Sequence, residues 1–368
     1  MEPLEKVLNV SRAEVSTVFS VATICFTLGM IFGAPIYRRV HAAAIASGCL
    51  LTGAAGIALA AGSMSLLMVF VGYGVIFSMA NALGYNLTLQ LVNTELRQYS
   101  AVATGIVTAC YALGSVTSAP VLVYAIRQFG VWNTLFGLAL FLVCAAMISG
   151  LLLVLAKTTL ACPPLQSDTA SPSLQPRLFI KLWIGYAFGA LAGLMVISHA
   201  AGIVSSYGGA PAQIALGAML VNIGNVTGRF SGGWFSQRFH VRRVLAIVMA
   251  FASVVLAALA FFPAVWLALV VLMFIGFVYG SNASTYPISV TIYYCRTHMA
   301  KIFGILMTAW GTAGLTAPWI AGFVFDSTGQ YKYAILVAAG AAFLGSIISL
   351  TLPDQDLWQI PDESTVYL

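Results

Sequence analysis

Eleven apolar runs of about 20 residues dominate the sequence: 15–37, 42–61, 64–91, 100–125, 131–156, 179–204, 213–236, 243–262, 264–292, 300–324 and 332–352. A run of that length spans the hydrocarbon of a bilayer as a helix, and in lipid only a helix or a closed barrel satisfies the backbone. The chain is 61% hydrophobic and 7% charged, against about 25% charged residues in soluble domains. These features predict an all-α polytopic membrane protein. Its net charge of +6 sits in short breaks between runs and reads as topology information, not as a nucleic-acid surface. The cysteines Cys25, Cys49, Cys110, Cys144, Cys162 and Cys295 are scattered, with neither metal spacing nor a disulfide framework. No phosphate loop or nucleophile–base set is visible, which argues against an enzyme, and no cofactor is expected. No ring of filter-like segments supports a channel.

The longest break, 157–178, holds prolines with Ser and Thr and reads as a linker. It separates an N-terminal bundle of five helices (1–156) from a C-terminal bundle of six (179–353), followed by a tail (354–368). Eleven of the 16 Lys and Arg residues fall on the linker's side of the membrane and four on the other. That bias makes the linker and tail cytoplasmic.

The remaining cation is Arg229. It lies nine residues before the cationic end of its run at Arg238, Arg242 and Arg243, or roughly 13 Å deeper at ~1.5 Å per residue. A guanidinium there costs at least ~2.5 kcal/mol on insertion scales. No Asp or Glu lies within any run, so the simplest counter-charge is a bound anion, whose carboxylate the planar fork accepts bidentately. Snorkelling to the surface is the competing reading, and ~7 Å of side chain is short for it.

The two halves repeat. Residues 105–120, with Tyr111 and Pro120, recur as residues 304–318, with Trp310 and Pro318. Repeated halves around a linker mark an alternating-access carrier whose site lies between them. Tyr111 and Trp310 then stand as paired aromatics. Tyr279, Asn282 and Tyr286 share a helix face with Gly276 and Gly280 nearby, and Asn81 and Tyr85 share one in the first half. Each set reads either as pocket wall or as helix–helix packing. His199, near the outer end of its run, is a candidate proton-linked group or a histidine bonded to a neighbouring helix. Asn86, Asn225 and Asn282 head Asn-x-Ser/Thr patterns inside runs, where glycosylation is not credible; a further match at Asn9 lies outside them.

Four segments carry a family resemblance: Val10–Ser16, Gly193–Ala201, Gly228–Arg238, and Thr308–Gly314 with Phe325–Tyr331. On them the chain resembles the major facilitator superfamily and, within it, the oxalate/formate antiporter branch of organic-anion transporters. The resemblance implies two pseudo-symmetric bundles, here five plus six helices, because the sequence opens in the loop after family helix 1. It implies a carrier in the plasma (inner) membrane, working as a monomer in the lipid bilayer, with a small organic anion as substrate and a coupled proton or counter-anion. Arg38, Arg39, Arg238, Arg242 and Arg243 resemble the superfamily's cytoplasmic gating loops, with Gln237 in place of the usual acid. Dicarboxylate-binding members add a lysine where this chain has Trp310, which favours a monocarboxylate of the lactate, pyruvate or formate type. The competing reading is a truncated relic or sensor that keeps the fold without transport.

Overall fold

The computed structural model describes residues 7–8, 10, 12–37, 39–63, 65–158, 175–294 and 298–354. These residues form eleven long helices and, among them, no strand. In chain order they are α1 (Arg12–Tyr37), α2 (Ala42–Ser63) and α3 (Leu66–Glu95). Ser100–Leu155 holds two helices, α4 before Gly130 and α5 after it. Then come α6 (Pro176–Ser198, continued after a break at His199 by Ala200–Ser206), α7 (Pro211–Arg238) and α8 (Val241–Phe261). α9 (Val265–Tyr293), α10 (Met299–Thr328) and α11 (Tyr331–Leu350) complete the set. Each helix occupies one of the eleven apolar runs. Of the positions singled out on sequence, Arg38, Asn9, Cys162, Cys295, most of the 157–178 linker and all but the first residue of the 354–368 tail lie outside the described residues.

The ends of the helices follow local chemistry. Pro176 and Pro211 open α6 and α7 at the first turn, where a missing N–H costs nothing. Gln213 Oε1 accepts the Ala210 N–H at 2.8 Å and caps α7. Gly130 (φ 77°) breaks α4 from α5, and Gly329 (φ 70°) closes α10 in the left-handed conformation that glycine adopts at low cost. Within α3, residues Phe70–Phe77 are π-helical.

Eight segments of the described chain are long and apolar enough to cross a membrane, one of them containing both α4 and α5. The two helices left over are α7 and α10, which carry Arg229 and Trp310. Their lower hydropathy comes from Asn222, Asn225, Arg229 and Gln237 on α7 and from Gly, Thr and Trp on α10. A helix with that content needs protein or water against its polar side.

By compactness the chain divides into two units. The first holds α1 to α3, the chain from Ser115 through α5, and the first turns of α10 (Ala300–Met307). The second holds Leu96–Gly114 at the start of α4, all of α6 to α9, and α10 from Thr308 onward with α11.

In the first unit α1 rests on α3, with Gly29 against the Met79 carbonyl and the Tyr37 hydroxyl donating to Leu83 O at 2.6 Å. Gly56 of α2 and Gly72 of α3 meet backbone to backbone, and Ser47 ties α2 to α5 through Ala146 O at 3.0 Å. The start of α10 is clamped from α3. Asn86 Nδ2 donates to Met30 O and to Ala300 O, each at 3.0 Å, and Gln90 Oε1 accepts the Ala300 N–H at 3.0 Å. Asn86 is fully buried, so Asn86→Ala removes two hydrogen bonds from the core. A loss of about 1–3 kcal/mol is expected, seen as a lower Tm of the purified protein. An unchanged Tm sinks this reading of the clamp.

In the second unit α7 and α9 run parallel in close contact, while α6 crosses the other face of α9 in the opposite direction. Gly193, Gly189 and Gly185 of α6 face Tyr279, Asn282 and Tyr286 of α9 in turn. Small residues at such a seam let helices approach in lipid, where no hydrophobic force drives them together. Leu256, Leu272, Val204 and Ile335 lie in the core these helices and α11 enclose.

Candidate functional site

Arg229 is 8% exposed. One helical turn earlier Asn225 accepts its Nε–H on Oδ1 at 2.9 Å. Across to α4, Nη1 donates to the Thr108 carbonyl at 3.3 Å. That approach is possible because α4 and α7 cross at a glycine pair: a Cβ on Gly105 would stand 2.9 Å from Gly233 Cα and 3.1 Å from Arg229 O. A guanidinium has five N–H donors. The two neutral acceptors take one each, and among the described residues the rest have no protein acceptor. The acids described are Glu14, Glu95, Asp326 and Asp354, and none lies on α7, on α9 or on residues 96–114 of α4. Among the described residues the site is therefore a buried cation held in position without a neutralising acid.

Tyr279, of α9, accepts the Trp310 Nε1–H on its hydroxyl oxygen at 2.8 Å. Its own O–H proton is then the group it has to offer. Arg229 and Tyr111 lie near enough to act electrostatically on that hydroxyl. Trp183 steadies α10 half a turn earlier, its Nε1–H bonded to Thr308 Oγ1 at 2.8 Å. Arg229, Tyr279, Trp310 and Tyr111 thus belong to one neighbourhood of the second unit. It offers a charged fork, a phenol donor and two aromatic rings, and a fork of this kind can accept an anionic group bidentately.

The other expected residues sit elsewhere. Asn282 is 2% exposed, with its amide against Gly189 and Met249. Tyr286 stacks on Tyr186, ring centroids 4.4 Å apart. Gly276 and Gly280 abut the backbone of α7 and serve helix packing, not a pocket wall. His199 interrupts α6, with Nε2 3.2 Å from Pro318 O and its ring 5.7 Å from that of Tyr331. Asn81 and Tyr85 are half-buried in the first unit, where Tyr85 faces Phe26.

Of the loop arginines, Arg39 and Arg243 are exposed. Arg238 lies over the Trp234 ring at 4.6 Å. Arg242 pairs with Asp354 at 2.6 Å, with His240 3.6 Å from the same carboxyl. These partners suit an anchoring role at a helix end. A cavity of about 220 Å³ in the first unit, lined by Val15, Val18, Phe19, Ile57 and Leu135 among others, has no charged group on its wall and does not suit an anion.

Sequence reasoning missed Asn225, Thr108 and Trp183. Asn225 was within reach, since its spacing of four from Arg229 is that of helix neighbours. The Thr108 carbonyl carries no sequence signal.

Residues 182–365 match the family model described as Major Facilitator Superfamily. Over 284 residues, 74% of this chain and 68% of the relative, the sequence is 24% identical to the Uncharacterized MFS-type transporter YhjX of Escherichia coli (strain K12). Over 139 residues it is 27% identical to Inositol transporter 4 of Arabidopsis thaliana, a match spanning 37% of this chain and only 23% of that protein. Among solved structures the fold is similar to the E. coli fucose:proton symporter FucP, with TM-score 0.75 and 16% identity over 96% of this chain and 94% of that one. It is also similar to the human organic anion transporter MFSD10 (TETRAN), with TM-score 0.70 and 13% identity over 94% and 87%. At these identities the structural likeness shows the fold alone.

Proposed function

The chain belongs to the major facilitator superfamily, and we propose that it is a secondary carrier of a small monocarboxylate, of the lactate, pyruvate or formate type, in the oxalate/formate branch. The observation that carries this reading is Arg229, 8% exposed and, among the described residues, held by the neutral acceptors Asn225 and Thr108. The substrate carboxylate takes the free side of the fork, the Tyr279 hydroxyl donates a further bond, and Trp310 and Tyr111 close on the apolar part. His199 remains the candidate for a coupled proton. The five-helix and six-helix halves (1–156 and 179–353) rock about this site. The carrier works in the plasma (inner) membrane as a monomer with linker and tail cytoplasmic, and Arg38, Arg39, Arg238, Arg242 and Arg243 serve as residues of its cytoplasmic gating loops.

Charge decides between acids. A bound monoanion leaves the Arg229 site neutral, whereas a dianion leaves one uncompensated negative charge at a cost of several kcal/mol. Each ~1.4 kcal/mol is tenfold in affinity, so monocarboxylates should bind at least about tenfold more tightly than oxalate. Trp310→Lys adds a second cation and should move the preference toward dicarboxylates. The test is competition of labelled pyruvate, lactate and formate uptake in proteoliposomes by unlabelled acids, with fucose and inositol as neutral controls. Oxalate competing as well as the best monocarboxylate overturns the charge argument. Uptake of the neutral sugars with none of the acids overturns the anion reading, and no uptake of any solute favours the relic or sensor.

A further inference from the structure

The contacts of Arg229 raise a question the substrate alone does not answer: why its nearest partner is an amide. A carboxylate at position 225 would reach the same Nε–H, pair more strongly and lower the cost of burying the cation. It would also cancel the charge. Among the described residues, the groups shown beside the fork are neutral: Asn225 on α7 itself, the Thr108 carbonyl on α4, and Tyr279 on α9. The other charges of α7 and α8 are Arg238, Arg242 and Arg243, at the helix ends and turned to Trp234, Asp354 and solvent.

We infer that Asn225 is the positioning residue that makes this site an anion site without a proton requirement. It fixes the plane of the guanidinium through Nε and leaves the full positive charge for substrate. This rests on the carboxylate reading of Arg229. Asn and Asp have the same shape and differ by an NH₂ for an O⁻, so Asn225→Asp isolates the charge. In that variant the empty site is neutral, and a monoanion brings an unpaired negative charge into a low-dielectric surrounding. The variant can offset that charge by taking up one proton on the introduced carboxylate as the anion binds. The bonds balance: the introduced carboxylate gains a proton from water, and the Arg229 Nη–H groups take the substrate. Wherever that carboxylate is ionised in the empty protein, linkage makes the variant's affinity rise about tenfold per unit fall in pH, a slope the amide cannot produce.

The experiment uses the full chain in proteoliposomes, with radiolabelled pyruvate as probe and lactate and formate as competitors, between pH 5 and 8, where these acids stay ionised. Asn225→Asp should bind pyruvate at least about tenfold more weakly than wild type at pH 8, with the gap closing toward pH 5. Recovery at low pH also shows that the variant is folded. Asn225→Ser, neutral but too short to hold Nε, should raise KM while keeping the wild-type pH profile. A profile for Asn225→Asp parallel to wild type overturns the inference. If that variant does not fold, Asn225→Ser with a KM within about twofold of wild type overturns it instead. Arg229→Ala separates the two levels. Unchanged pyruvate handling there overturns the carboxylate reading, whereas loss there with parallel profiles in Asn225→Asp overturns only the role of Asn225.

Discussion

Arg229→Ala should abolish uptake of every anion the wild-type protein carries while leaving a folded protein in the membrane. Two charge-assisted bonds from the fork to a carboxylate contribute about 1.5–3 kcal/mol each, so their joint loss lowers affinity by roughly 10² to 10⁴-fold at ~1.4 kcal/mol per decade. The fold should tolerate the change because two effects oppose each other. Removing the side chain strands Asn225 Oδ1, which costs about 1–3 kcal/mol, and takes one bond from the helical Thr108 carbonyl. It also removes a buried cation whose insertion cost at least ~2.5 kcal/mol. Arg229→Lys is the graded case. The ammonium keeps the charge, but a point donor does not span Asn225, Thr108 and a carboxylate as a planar fork does. Its KM should rise by at least about tenfold with residual transport. Initial uptake rates in proteoliposomes at matched protein density decide the matter. Wild-type rates from Arg229→Ala sink the carboxylate role, and equal KM values for Arg229→Lys and wild type sink the bidentate geometry.

Which parts of this molecule were readable in advance follows from what lipid demands of a sequence. Helix number and extent were readable because an apolar run about 20 residues long has few other fates in a membrane. The burial of Arg229 was readable because nine residues separate it from Arg238, farther than a side chain can reach. The Tyr279–Trp310 bond joins two residues expected on one site, but no spacing rule links α9 to α10, so their contact had to come from the structure. Azimuth is the property sequence conceals best. Tyr279, Asn282 and Tyr286 do share a face, and that face meets Gly193, Gly189 and Gly185 of α6. A stripe of glycines has no polarity or bulk to announce which partner it receives. Asn282, polar and well spaced, therefore reads as a pocket residue until the structure shows it buried at 2% exposure against Gly189 and Met249. The clamp of Asn86 and Gln90 on Ala300 is hidden for a related reason: its acceptors and donor on α10 are backbone groups.

The second large effect concerns the seam that holds the Arg229 helix. Gly224, Gly228 and Gly232 of α7 recur every four residues, and Gly276 and Gly280 answer them on α9. A Cβ on Gly224 would meet Met273 O, one on Gly228 Phe277 O, one on Gly276 Val221 O and one on Gly280 Asn225 O. Every obstacle is backbone, so no rotamer change relieves it, and the two helices must separate to admit even a methyl group. Separation forfeits dispersion contacts along the seam and the carbonyl approaches that accompany close helices. It also moves Arg229, whose amide nitrogen lies 3.0 Å from a Cβ on Gly280. Extra methylenes in a packed core cost about 1–3 kcal/mol where side chains can adjust, and here they cannot. Gly228→Leu should therefore yield no monodisperse protein on fluorescence-detected size-exclusion chromatography, and Gly228→Ala a folded protein with a clearly lower Tm. Gly340 of α11 is the control, since a Cβ there meets nothing within 4 Å. Gly340→Ala should hold or raise the Tm, because alanine is the better helix former by ~1 kcal/mol. Gly228→Leu running as a sharp peak with wild-type Tm and uptake contradicts the seam, and equal Tm losses from Gly228→Ala and Gly340→Ala reduce it to an ordinary helix-propensity effect.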